Sequence, residues 1–140
     1  MANKTRIYEE DSSFVVDKPV NEIMEDSCSY FGSSLQGRKQ GTASLIGVSY
    51  KAPIIVEESN NIIFFPTESP KMNTCLWIRL NKISRYYRYN GHLVIEFQNG
   101  DRIPFNTSYG IIDNQVLRAT RLEAVLRNRK KKKKKDDRKY

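Results

Sequence analysis

The chain has 140 residues, 39% of them hydrophobic and 29% charged, which suits one globular domain able to bury its own core and excludes a miniprotein dependent on disulfides or metal. The net charge of +8 is concentrated at one end: residues 127–140 hold ten Lys/Arg against two Asp, whereas residues 1–126 hold fourteen basic and fourteen acidic side chains. No apolar leader opens the sequence and no run approaches a membrane span, so a cytoplasmic place away from membranes is expected.

Taken in chain order, Ser13–Asp17 reads as a strand ended by Pro19. Residues 20–31 are open between a short helix and a loop, with Asp26 or Ser27 able to cap a turn holding Cys28, Tyr30 and Phe31. Residues 33–46 read as a helix softened by Gly37 and Gly41. Residues 53–56 and 62–65 flank the polar turn 58–61 and predict a hairpin. Residues 75–80 and 83–89 read as extended, 92–97 alternates, Asn99-Gly100 signals a two-residue hairpin, and Pro104 marks 102–105 as an edge strand. The clearest helix is 115–127, capped by Asp113 or Asn114, with Ala119, Leu122 and Leu126 on one face and Val116 at its border. Arg118, Arg121, Val125 and Arg129 form a row beside that face. Six lysines, Lys130–Lys135, follow; their mutual repulsion predicts disorder. The expected fold is α+β: a mainly antiparallel sheet, a Gly-softened N-terminal helical segment and a C-terminal amphipathic helix. Residues 1–129 form a single domain in this reading, and 130–140 a disordered polybasic tail.

The residues offer little to catalysis. His92 is the only histidine and has no local nucleophile or carboxylate partner motif. Cys28 and Cys75 are far apart, with no second Cys or His near either, so reduced thiols are expected and neither a metal site nor a cofactor. Gly32–Lys39 departs from a phosphate-binding P-loop, because Gln40 follows Lys39. An enzyme is therefore not expected.

Binding chemistry is better represented. In residues 33–42, small residues allow close approach, hydroxyls and backbone N–H groups suit phosphate oxygens, and Arg38 and Lys39 add charge; the same segment also reads as a solvated loop. Tyr86, Tyr87 and Tyr89 interleaved with Arg85 and Arg88 suit stacked single-stranded bases, or equally a half-buried strand. Trp77 reads as core. The domain body is polarised, with three basic against seven acidic groups over residues 1–37 but six against two over 69–102. The lysine run can grip any polyanion without sequence preference.

Residues Ser27–Thr42, SCSYFGSSLQGRKQGT, resemble the S-C-x-[FY]-F-G-S-S-x-x-G-R-x-x-G-T signature of the bacterial ComK competence transcription factors. Lys51–Val56 resembles that family's K-x-P-I-x-V. Phe65-Pro66-Thr67 followed by Cys75–Ile78 resembles its F-P-T and C-x-W-I, and Phe97–Gly100, Ser108-Tyr109 and Asn114–Arg118 resemble its F-x-N-G, S-Y and N-Q-V-x-R. The resemblance implies a transcription activator of DNA-uptake genes, associated with the nucleoid, that binds paired A/T-rich boxes of double-stranded DNA through the minor groove as dimers assembling on one site. Such a groove is narrow and strongly negative, and attracts Arg and Lys. The candidate DNA contacts are Arg38 and Lys39, with Ser33, Ser34 and Thr42 as backbone clamps, then Arg118 and Arg121, and Lys130, Lys131 and Lys132 for added phosphate contacts. In the family, a MecA-type adaptor of the Clp protease binds a hydrophobic C-terminal extension. Lys130–Lys135 stand in its place here, so adapted proteolysis is not expected. Two alternatives accompany the activator: a truncated relative that modulates a full-length family member by hetero-association, and an RNA- or single-strand-binding module.

Overall fold

The computed structural model describes residues 4–137. Strands β1 (Thr5–Tyr8) and β2 (Ser13–Val16) form an antiparallel ribbon. Helices α1 (Val20–Tyr30) and α2 (Leu35–Ile46) follow. Strands β3 (Ile54–Glu57), β4 (Ile62–Pro66) and β5 (Trp77–Arg79) make a second antiparallel sheet in that order. After a 3-10 turn at Leu80–Lys82 come β6 (Ile83–Tyr89), β7 (His92–Phe97) and β8 (Arg102–Phe105), a third sheet, and then α3 (Tyr109–Asp137). The α+β class with antiparallel pairing and a C-terminal helix is as the sequence predicts.

The buried surface explains the apolar runs. In β3, Ile54, Ile55 and Val56 are all buried. Ile55 joins Ile63, Phe65, Ile78, Leu93 and Ile95 beneath Ile112, Ala119, Leu122 and Leu126 of α3. Ile54 and Val56 face the other way, against Met24 and Cys28 of α1 and Leu35 of α2. A strand covered on both faces has no need of alternation, so it reads as a continuous hydrophobic stretch.

Several local expectations are corrected. Of residues 20–31, Val20–Tyr30 form a helix that opens directly after Pro19 without a side-chain cap. The ribbon partner β1 escaped the sequence pattern, being short and exposed on alternate residues. The two-residue hairpin turn is Asn90-Gly91, where both residues have positive φ (50° and 76°), the backbone that Asn-Gly best tolerates. At Asn99-Gly100, Gly100 N–H bonds Phe97 O and Phe97 N–H bonds Asp101 O, giving a longer bulged loop. The last helix begins at Tyr109, with Ser108 Oγ accepting from Ile111 N–H at 3.2 Å. Asp113 instead accepts from the Tyr86 hydroxyl at 2.6 Å. The tail expected to be disordered continues α3 as far as Asp137; residues 138–140 of that expected tail lie outside the described residues. Extending an established helix adds a hydrogen bond per residue without a new nucleus, and Lys is a good helix former, so repulsion is outweighed.

Two buried polar side chains tie helices to strands. Gln115, 1% exposed, donates from Nε2 to Pro66 O at 2.7 Å and Lys51 O at 2.9 Å. Thr42, also 1% exposed, donates from Oγ1 to Pro53 O at 2.5 Å, with Arg38 O at 3.2 Å. Gln115→Ala strands two carbonyls and is expected to cost roughly 2–4 kcal/mol, against less than ~0.5 kcal/mol for Leu117→Ala on the exposed face. Urea unfolding of the two variants checks this, and equal small losses would contradict the role of Gln115.

Candidate nucleic-acid interface

Helix α2 starts where Ser34 takes an extended backbone and its Oγ accepts from Gly37 N–H at 2.9 Å, while Glu25 of α1 accepts from Leu35 N–H at 2.8 Å. Two of the orphan donors of the first turn are thereby satisfied. Gly37 and Gly41 fall on one side of the helix with Ser44. A Cβ at Gly41 would meet nothing within 4 Å, so the helix backbone is open there. That side and α3 enclose a cleft of about 180 Å³ lined by Ser33, Gly37, Arg38, Gly41, Ser44, Glu58 and Arg129, among others.

Arg38 is held only loosely. Its side chain is 19% exposed, Nη1 stands 3.8 Å from the exposed Glu58 carboxylate, Nη2 stands 3.5 Å from Val56 O, and the buried Nε has no partner. The guanidinium thus keeps unused donor capacity at the floor of the cleft. Lys39 is half-buried and lines no part of the cleft.

Along α3, helical spacing puts Arg118, Arg121, Val125, Arg129 and Lys132 on one side. Arg118 is engaged with Tyr50 O (3.3 Å) and Gln115 Oε1 (3.4 Å), whereas Arg121, Arg129, Lys131 and Lys132 are exposed. Lys130 is anchored: its Nζ donates to Glu58 O and, at 3.2 Å, to Asn61 Oδ1, tying the helix to the β3–β4 turn. The structure therefore brings Ser33, Arg38 and Lys130 to one region, with Arg118, Arg121 and Lys132 along the adjoining helix. Ser34 and Thr42 belong to the framework, because capping and the Pro53 bond engage their hydroxyls. Thr42 also lines the cleft, although its hydroxyl hydrogen is committed to Pro53 O. Arg129, Ser44 and Glu58 are the polar cleft residues that sequence reasoning left out of the candidate set. Arg129 already stood in the row of arginines, but nothing in the sequence signals that this row faces α2.

The remaining candidates lie elsewhere. Tyr86 is turned inward against Tyr109, with ring centres 5.5 Å apart. Burial, and then Asp113, push its hydroxyl above the ordinary tyrosine range. Arg85 stacks on Tyr87 (5.0 Å) and pairs with Glu96, which also meets Arg102. The Tyr-Arg strand is thus partly neutralised. Trp77 is half-buried, its Nε1 donating to Asn21 Oδ1. A larger open hollow of about 370 Å³, lined by Ile7, Val16, Ile23 and Tyr30 among others, lies beside the acidic N-terminal region and offers no polyanion site. Among the described residues, no cluster of His, Cys, Asp and Glu could hold a metal, and no helix is long and apolar enough to cross a membrane.

A family model described as ComK protein matches residues 2–131. The chain belongs to the ComK family. It is 34% identical over 126 residues to the competence transcription factor of Bacillus subtilis (strain 168), covering 89% of this chain and 66% of that relative. The chain therefore spans just under two thirds of that relative's length. No solved structure matches it.

The ComK motif residues have concrete places in this fold. In the first block, Gly32 turns the chain between α1 and α2 with φ of 81°, Ser34 caps α2, and Thr42 holds it to Pro53 of the second block. Gln115 of the last block reaches Pro66 of the F-P-T block. Cys28 and Cys75 are both buried and free. Burial raises both thiols above the usual cysteine range, although Arg38 partly offsets this at Cys28 and backbone hydrogen bonds do so at Cys75. A raised pKa keeps each thiol protonated, and so unreactive, at neutral pH. Native protein is expected to resist iodoacetamide at both positions at pH 7.5 and to label fully in denaturant. Rapid native labelling would contradict this burial.

Proposed function

We propose that this ComK-family chain is a DNA-binding regulator of competence genes that grips A/T-rich duplex with the basic side formed by α2 and α3. The observation that carries the reading is the row Arg118, Arg121, Arg129 and Lys132, continued by the exposed lysines along a helix that runs past the last buried residue, Leu126. At 1.5 Å per residue, α3 is about 44 Å long, enough to follow several phosphates.

The division of labour follows from the physics. The lysines release counterions from any duplex and supply affinity that falls steeply with salt. Exposed guanidinium groups, with Arg121 foremost, reach into the minor groove, which A/T tracts narrow and make more negative. Readout there separates A·T from G·C and little else. Dimers assembling on one site would double the number of such insertions. Single-strand binding would use the outer face of the third sheet, but Glu96 sits between Arg85 and Arg102 there, which favours the duplex reading.

Gel shifts of A/T-box and G/C duplexes of equal length test the proposal. Replacing Lys131–Lys135 with Gln is expected to preserve the A/T preference while making the salt slope shallower by up to ~0.9 per lost phosphate contact. Arg121→Ala is expected to weaken the A/T site by roughly 1–3 kcal/mol. Equal affinity for both duplexes would remove the selective reading, and a selective shift that requires an added full-length relative would favour the modulator instead.

A further inference from the structure

We propose that the cleft between α2 and α3 is a specific binding site for a phosphoryl oxyanion, with the guanidinium groups of Arg38 and Arg129 as its ligands. It goes beyond duplex recognition, because the phosphoryl group can be a free inorganic phosphate or a phosphate of the DNA backbone.

Charge is the first argument. Arg38 at the floor is mostly buried, and its nearest carboxylate, Glu58, is more than half exposed and 3.8 Å away, at the outer limit of an ion pair. A largely desolvated cation with so distant a partner is poorly compensated. Arg129 lines the opposite wall on α3. The ammonium of Lys130 is held on the Glu58 backbone carbonyl and Asn61 Oδ1, so Glu58 is the one carboxylate among the lining residues, against Arg38 and Arg129.

Donor geometry is the second. The Nε of Arg38 is buried and has no hydrogen-bond partner. Nε with a neighbouring Nη forms the fork that grips two oxygens of a phosphate. A buried donor left unmatched is costly; Nε is closed to solvent in this rotamer, so it meets an oxyanion in the cleft once the side chain turns outward, which the distant Glu58 partner does little to oppose. The Ser33 and Ser44 side chains add hydroxyls to the lining.

Size and shape are the third. A cleft of about 180 Å³ holds a tetrahedral oxyanion but lies below the ~300–1,000 Å³ of pockets that enclose whole small molecules. It therefore selects the phosphoryl group rather than a nucleoside. Gly37 and Gly41 keep the helix side open. At Gly37 a Cβ would stand 3.0 Å from Ser34 Oγ and 3.3 Å from Ser33 Oγ, so a side chain there would crowd the capping Ser34 and the lining Ser33.

The test follows the side-chain Nε–H resonances of Arg38 and Arg129 in the full chain. Inorganic phosphate is titrated against sodium chloride of equal ionic strength. A saturable shift at Arg38 is expected with phosphate only. Arg129→Ala, at an exposed position, and Arg38→Lys, which keeps the charge but loses the fork, should each weaken phosphate binding roughly tenfold, as loss of a charge-assisted pair implies. Lys71→Gln, at an exposed position that lines no part of the cleft, should leave it unchanged. A non-saturating drift shared with chloride, or undiminished affinity in Arg129→Ala, would overturn the site. Adding an A/T duplex then identifies the source: competition with phosphate assigns the cleft to the DNA backbone, and simultaneous binding assigns it to a free phosphate. Duplex selectivity could fail while the phosphate titration succeeds, so the two readings fall separately.

Discussion

Two hydrogen-bonding side chains, Thr42 and Gln115, fix the arrangement on which the rest of the molecule depends. Each is almost wholly buried and donates to carbonyls of the β-sheet region, Pro53 for the first and Pro66 with Lys51 for the second. Hydrophobic packing brings α2 and α3 onto β3 and β4, but it is non-directional. A buried polar group that must find its partner is directional, and a slipped helix would leave both donor and carbonyl unsatisfied. These bonds thereby specify the rotation and height of each helix. The cleft, and the row of cations beside it, are consequences of that placement.

The fold was legible wherever periodicity or turn chemistry was strong. The β3–β4 hairpin, the extended β6 and β7, the edge strand at Pro104 and the apolar face of α3 all follow from local pattern. Legibility failed where the deciding interaction was tertiary. Val20–Tyr30 has two buried residues, Met24 and Cys28, and acidic residues that blur its pattern, so its helix became evident only through packing on β3. The start of α3 was misplaced because Asp113 is an attractive cap, yet its carboxylate belongs to Tyr86. The lysine run was judged by repulsion alone, without the long packed helix on which it continues or the anchor at Lys130.

The candidate interface was half legible. Arg38, Ser33 and the α3 arginines could be singled out by residue type, but their juxtaposition depends on the packing of α2 against α3. The same motif that points to the ComK family supplies both framework and chemistry. Ser34 and Thr42 secure the helix, and Ser33, Gly37, Arg38, Gly41 and Thr42 itself line the cleft. Sequence alone groups Ser33, Ser34 and Thr42 as clamps beside Arg38, and only burial and hydrogen bonding show which hydroxyls are already engaged. The charge asymmetry also acquires a spatial meaning. The acidic N-terminal segment contributes the ribbon and α1, whose apolar hollow carries only the paired Lys18 and Asp26 as charged lining, whereas Arg38 and Arg129 line the α2–α3 cleft.

The central claim is that the α2–α3 side is what meets the duplex. Amide and side-chain chemical-shift mapping of the full chain during titration with an A/T-rich duplex tests it most directly. Perturbations are expected to concentrate on Ser33–Ser44 and on Arg118, Arg121, Arg129 and Lys132, with Tyr87, Tyr89 and His92 unmoved. Perturbation centred on those three residues of the outer sheet face, with the α3 row silent, would contradict it.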